Sequence, residues 1–250
     1  MGQLYGKGDA HRRLLRINSL LKIIYNKSLK PFSKLLKNLI THLPLSNFYF
    51  RPYYIDDIYM ALGLWEPYVN EFFTPKKGDI ILDVGSHIGY FTLIAAHRAG
   101  SEGKIICVEP DPRNYKLLKM NIVKNGLKNI ILFHGALGSK SGLTEFIIDE
   151  NPLESELSVE SNHFKKIISV KMLTMDALME KLHIKQVDWI KIDVEGAVND
   201  VLLGGKTTLQ NKNKMIIETR GETTLRILSD YGYTYYPLLD PKYNYYLAKK

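Results

Sequence analysis

Residues 80–113 read IILDVGSHIGYFTLIAAHRAGSEGKIICVEPDPR, and few architectures accommodate such a segment. Ile80 to Val84 is apolar except for Asp83 and lacks the alternation of a half-exposed strand, so it is expected to be a parallel strand covered on both faces. Gly85 follows at once, and Ile88, Phe91, Ala95, Ala96 and Ala99 then recur at helical spacing. A second apolar run, KIICV, ends at Glu109. Strand, tight turn, helix and strand make a βαβ unit, which belongs in a doubly wound sheet.

The turn narrows the ligand. A dinucleotide-binding turn carries three glycines, the second so that the backbone can approach a pyrophosphate, but here the run is Gly85-Ser86-His87-Ile88-Gly89 and His87 occupies that second place. Gly85 still allows the sharp turn, Gly89 allows close helix packing, and Glu109 stands at the strand end where ribose hydroxyls are bound. A nucleoside without phosphates fits, and S-adenosylmethionine is the commonest such cofactor. Asp83, Gly85, Ser86, His87, Gly89, Glu109, Pro110 and Ala136 are the expected cofactor-binding residues, with Asp193 shared between cofactor and acceptor.

The 250 residues carry a formal net charge of +8. That charge is confined to residues 1–42, where nine Lys/Arg face Asp9 alone, while the other 208 residues balance. A basic nucleic-acid binder needs its charge on the working face, so the neutral body argues against nucleic acid as a partner. In the basic segment Leu14, Ile17, Leu21 and Ile24, then Phe32, Leu35, Leu36, Leu39 and Ile40 after Pro31, predict two short amphipathic helices. They are expected either to cap the body or to touch an anionic membrane surface peripherally. Lone Cys107 can form no internal disulfide and points to a reducing cytoplasm. The expected domains are therefore 1–43, the basic helices, and 44–250.

Along the rest of the chain, one aromatic helix is expected before the βαβ unit, with Ile58, Leu62, Trp65, Val69 and Phe72 inward and Tyr53, Tyr54 or Trp65 near an acceptor. The pattern then predicts a helix over 111–125, strands at 129–134, 144–149 and 168–173, and an acidic loop at 149–160 suited to a lid. A helix from Met175, a strand over Val187–Asp193, a helix with Val198, Val201 and Leu202, a strand over Lys214–Thr219, a helix over 222–231 and a closing hairpin complete it.

Ligands of doubly wound sheets lie beyond the carboxyl ends of the strands. Acids cluster there, at Asp83, Glu109, Asp193, Glu195 and Glu218. Methyl transfer needs an aligned acceptor and a base for its proton, and Asp193, Glu195 and Glu218 are the candidate catalytic residues, with His87 as a further candidate. Hard cations could use the same acids, but no His/Cys cluster accompanies them and no metal site is assigned.

These motifs resemble the FkbM family of S-adenosylmethionine-dependent methyltransferases. KKGDIILDVGSHIGYFTLIAA, VEPDPRNYKLLKMN, GALGSKSG, TMDAL, VDWIKIDVEGAVNDVLLGG and IIET follow that family's order from about Trp65 to Thr219. The resemblance implies a class I methyltransferase fold: an α/β, Rossmann-like, mostly parallel seven-stranded sheet with helices on both faces and an antiparallel C-terminal hairpin. It implies S-adenosyl-L-methionine as cofactor and methylation of an oxygen on a small-molecule or saccharide acceptor, glycolipids and secondary metabolites included. Asp83, Gly85, Gly89 and Glu109 match the cofactor motif, and Asp193, Glu195 and Gly196 match the family's Asp-x-Glu-Gly. His87 replaces a common Asn and Val198 a common Glu. Two other uses remain open: an RNA or protein methyltransferase docking through the basic segment, and a catalytically silent nucleoside-binding module at a membrane.

Overall fold

Uninterrupted apolar runs form the centre of the sheet, because a parallel strand is covered on both sides. The computed structural model describes residues 41–42, 47–52, 54–149, 165–194, 196–219, 221–238 and 245–250. Backbone contacts divide the chain into two compact units, 1–66 and 67–250. The expected basic helices, the acidic lid, Tyr53 and Glu195 lie outside the described residues.

In the first unit Thr41–His42 pairs antiparallel with Tyr49–Phe50, and helix α1 (Ile55–Ala61) follows. Buried Arg51 donates its main-chain N–H, Nε and Nη2 to the Asp57 carboxylate at 3.0, 2.7 and 3.0 Å, which ties the strand to the helix. A buried charge is tolerated when paired in this way. The single aromatic helix expected here is instead two: α1 ends near Gly63, at φ +70°, and α2 (Pro67–Phe72) is a separate element that opens the second unit. Leu62 and Phe72 are each 41% exposed rather than inward, and Met60, Val69 and Phe73 are buried. A glycine in the left-handed region and a proline at the next helix start account for the break.

The second unit contains β1 (Ile80–Val84), α3 (Tyr90–Ala99), β2 (Lys104–Glu109), α4 (Pro112–Lys124), β3 (Ile130–His134), β4 (Ala136–Leu137), β5 (Gly142–Asp149), β6 (Lys165–Leu173), α5 (Met175–Lys181), β7 (Trp189–Ile192), α6 (Val198–Leu203), β8 (Lys214–Glu218), α7 (Glu222–Asp230), β9 (Thr234–Pro237) and β10 (Tyr245–Lys249). Seven of the strands form one sheet in the order β9-β10-β8-β7-β1-β2-β3. All neighbours from β8 to β3 are parallel, and β10 runs antiparallel to both β8 and β9. The expected sheet, reversed strand included, is therefore present. β4, β6 and β5 make a small second sheet, with β4 parallel and β5 antiparallel to β6.

Alternate residues of the central strands face opposite sides. Leu82, Val84, Ile106, Val108, Ile190, Ile192, Met215 and Ile217 belong to one core with Met175, Leu178, Val201, Leu202 and Leu228 of α5, α6 and α7. The other face meets α3, where Thr92 lies against Cys107 and Phe91 packs edge-on against Phe73, which packs in turn against Trp189. Helix starts follow local rules: Asp111 caps α4 ahead of Pro112, accepting from Arg113 N–H at 2.8 Å, and Thr174 caps α5, accepting from Ala177 N–H at 3.0 Å. Chain order reverses between β1 and β7, and at such a switch point a crevice opens beyond the strand ends.

Candidate active site

The turn after β1 is built from the backbone needs of three residues. Gly85 has φ +82°, and a Cβ there would stand 1.9 Å from the Asp193 carbonyl oxygen, so only glycine lets the tips of β1 and β7 meet. The N–H groups of Gly85 and Ser86 both donate to Val108 O (3.0 and 3.1 Å), and Ser86 Oγ donates to Asp83 O at 2.8 Å. His87 adopts φ +51°, a region that Asn, Asp and His enter more readily than other side chains. Gly89, at φ +99°, faces the Leu118 side chain of α4, with 2.7 Å from its would-be Cβ to Cδ1.

The same turn holds Glu109. Its Oε2 accepts the His87 N–H at 2.8 Å and its Oε1 the Asp111 N–H at 2.9 Å, while the Asn114 side chain makes a third hydrogen bond. Burial pushes its pKa up to about 7 although these bonds favour the charged form. Of a carboxylate's roughly four acceptor sites, about one remains, so two ribose hydroxyls require Asn114 to yield its place.

Acids from three strand ends meet around one lysine. Asp83 is 1% exposed; its Oδ2 accepts from Thr92 Oγ1 at 2.6 Å, and its Oδ1 has no hydrogen-bond partner. Burial raises its pKa, with Lys191 and Thr92 pulling the other way. Lys191, directly beside Asp83 in the β1–β7 register, is itself 2% exposed and donates from Nζ to Asp193 Oδ2 at 2.7 Å. Tyr245 OH donates to the same oxygen at 3.0 Å, and Glu218, opposite Tyr245 in the β8–β10 register, hydrogen bonds the Asp193 carboxyl. Burial works to raise the Asp193 pKa, but Lys191 and these hydrogen bonds outweigh it and hold the carboxyl below its usual range.

The structure thus gathers Asp83, Asp193 and Glu218 in one network, while Glu109 stands across the glycine turn from it. Gly135 N–H donates to Glu109 O at 3.2 Å, which brings the Ala136 end of β3–β4 alongside Glu109. Pro110 follows Glu109 directly and is half-buried. Val198 is buried in the core at the first position of α6, and Asp200 supplies an acid in that helix's first turn. Tyr54 and Trp65 belong to the first unit. Sequence reasoning missed Lys191 and Tyr245. A lone cation inside the apolar run WIKI signals the first, whereas no local pattern marks the second, which lies 52 residues from Asp193.

Comparison with known proteins places the fold in a family. The family profile described as the methyltransferase FkbM domain matches residues 83–235. The hexuronic acid methyltransferase AglP of Haloferax volcanii is 29% identical over 147 residues, which cover 57% of this chain and 56% of that protein. The 2-O-methyltransferase NoeI of Sinorhizobium fredii is 28% identical over 152 residues, or 54% of this chain and 60% of that protein. The matches therefore span little more than half the length of these curated relatives. Among solved structures, the methyltransferase FkbM from Methylobacillus flagellatus shares the fold with a TM-score of 0.50 at 16% identity, over 71% of this chain and 44% of that one.

Proposed function

The chain belongs to the FkbM methyltransferase family, and on that basis we propose that it transfers a methyl group from S-adenosylmethionine to a saccharide hydroxyl. The observation that carries this reading is the Asp193 carboxyl, kept ionised by Lys191 at the tip of β7, beside the sheet's switch point. The printed names of the two curated relatives, one acting on a hexuronic acid and one at a 2-O position, support a sugar hydroxyl as acceptor.

The residues present fit an adenosyl cofactor. Glu109 retains acceptor capacity for a ribose hydroxyl, and Asp83 keeps a buried oxygen without a partner, suited to a cationic or N–H-bearing group. No glycine occupies the place where a pyrophosphate would approach the turn, because His87 stands there. When bound, the cofactor supplies a methyl group made electrophilic by its sulfonium sulfur. Asp193 receives the acceptor's hydroxyl proton as that oxygen gains its new bond to carbon. Oδ2 already takes two donors, and the acceptor hydroxyl competes with Glu218 for the rest of the carboxyl. Proton transfer to a positioned base is worth roughly 10²–10⁴-fold in rate.

The test combines calorimetry with labelled methyl transfer to a panel of methyl glycosides and methyl glycosiduronates. S-adenosylmethionine should bind with a Kd on the order of micromolar. Glu109→Ala and Asp83→Ala should weaken that binding about tenfold or more, corresponding to one lost charged hydrogen bond. Asp193→Asn should bind normally and lose about two or more orders of magnitude in transfer. Absence of binding by the parent protein, or variants indistinguishable from it, would overturn the reading.

A further inference from the structure

Position 191 is in the interior of a parallel strand, where an aliphatic residue is the ordinary occupant. Its register partners are Asp83 on β1 and Ile216 on β8, its flanks are Ile190 and Ile192, and its side chain is almost wholly buried. A buried ion pair is often no more stabilising than a well-packed apolar pair, so the fold alone does not account for a lysine here. The Nζ lies 4.7 Å from the centroid of the Phe91 ring, which shields it from water and favours a cation in that place.

We propose that Lys191 and Tyr245 are positioning residues for Asp193: Lys191 fixes its charge and Tyr245 its orientation toward the acceptor hydroxyl. The inference rests on the function proposed above. Lys191 Nζ and Tyr245 OH approach the same oxygen, Oδ2, at 2.7 and 3.0 Å from two different strands. Two donors on one oxygen fix the rotation of the carboxyl group, which neither does alone. The groups that act on Asp193 among the described residues are Lys191 on its own strand, Glu218 at the end of β8, Tyr245 at the start of β10 and, by direct repulsion, Asp83 on β1. Glu218 hydrogen bonds the same carboxyl, and two adjacent carboxyls do not both ionise freely. Lys191 therefore favours the charged form of Asp193, because its ammonium contacts that carboxyl directly. During transfer the acceptor hydroxyl loses its proton to Asp193, the oxygen electron pair forms the bond to the methyl carbon, and the broken carbon–sulfur bond leaves its pair on sulfur.

The experiment follows the Asp193 carboxyl carbon by NMR in the full-length protein carrying ¹³C-labelled aspartate, with Asp193→Asn to assign the signal. The parent protein should titrate below the ordinary aspartate range. Lys191→Met should raise that midpoint by about one to three pH units, Lys191→Arg should restore most of the shift, and Tyr245→Phe should raise it by less. Calorimetry with S-adenosylmethionine should give the same affinity for the parent and for Tyr245→Phe, a variant that keeps the ring in place and so guards against a folding artefact. An unchanged midpoint in both Lys191→Met and Tyr245→Phe overturns the inference. Failure of the parent protein to bind S-adenosylmethionine instead overturns the proposed function, and the titration still measures the Lys191–Asp193 coupling by itself.

Discussion

Glu109 carries the most direct consequence of a single environment. Its carboxyl is buried and its pKa stands at about 7, against 4.5 when unperturbed, so at neutral pH it is poised between acceptor and donor. A carboxyl whose folded pKa is raised stabilises the fold fully below its unfolded value. That contribution is lost as the pH rises from about 4.5 through about 7. Ribose hydroxyls donate to the ionised form, so cofactor affinity should move the opposite way. It should tighten by up to about tenfold per pH unit on approaching neutrality and then level off. Calorimetry in two buffers of different ionisation enthalpy should also show a proton released on binding near pH 7. Constant affinity across this range would show that Glu109 does not face the cofactor.

At the scale of elements, the β1–α3 turn joins two different kinds of close contact. Gly85 abuts a backbone carbonyl at the end of β7, which cannot move without breaking the parallel pairing of β1 and β7. Gly89 abuts the free end of Leu118, which can rotate away. Both require a positive φ, so alanine strains both. Gly85→Ala should cost about 3 kcal/mol or more, and Gly89→Ala about 1–2 kcal/mol, in urea unfolding. A reversal of that order would mean that the turn, not the strand, gives way. Strand, turn and helix were legible beforehand because periodicity and glycine placement are local. The leading aromatic helix was misjudged because apolar spacing continued across Gly63 and Pro67, where the backbone conformation changes.

For the whole molecule, charge and fold are separately distributed. The +8 belongs to residues 1–42, whereas the sheet and the candidate active site belong to the unit 67–250. Among the described residues, no helix is long and apolar enough to cross a membrane. The sequence leaves the basic segment two uses, a cap on the body or peripheral contact with anionic lipid, and sedimentation tests the lipid role, in which each Lys or Arg near the surface contributes about 1 kcal/mol. The full chain should sediment with vesicles containing phosphatidylserine and not with phosphatidylcholine alone. Changing Lys22, Lys27, Lys30 and Lys34 together to Glu should abolish sedimentation while cofactor affinity stays the same. Equal sedimentation of the parent and the quadruple variant would remove the membrane role.

The order of strands and helices, the glycine turn and the carboxylates at the strand tips could all be read from residue pattern, since each depends on neighbours within a few positions. The partnership among those carboxylates could not. Lys191 reads as an isolated charge in an apolar strand, and its meaning appears only when β1 places Asp83 beside it and β10 returns Tyr245 to Asp193. Which acid keeps its charge depends on burial and on donors distant in the chain. Those are properties of packing, and packing forms only when the sheet closes.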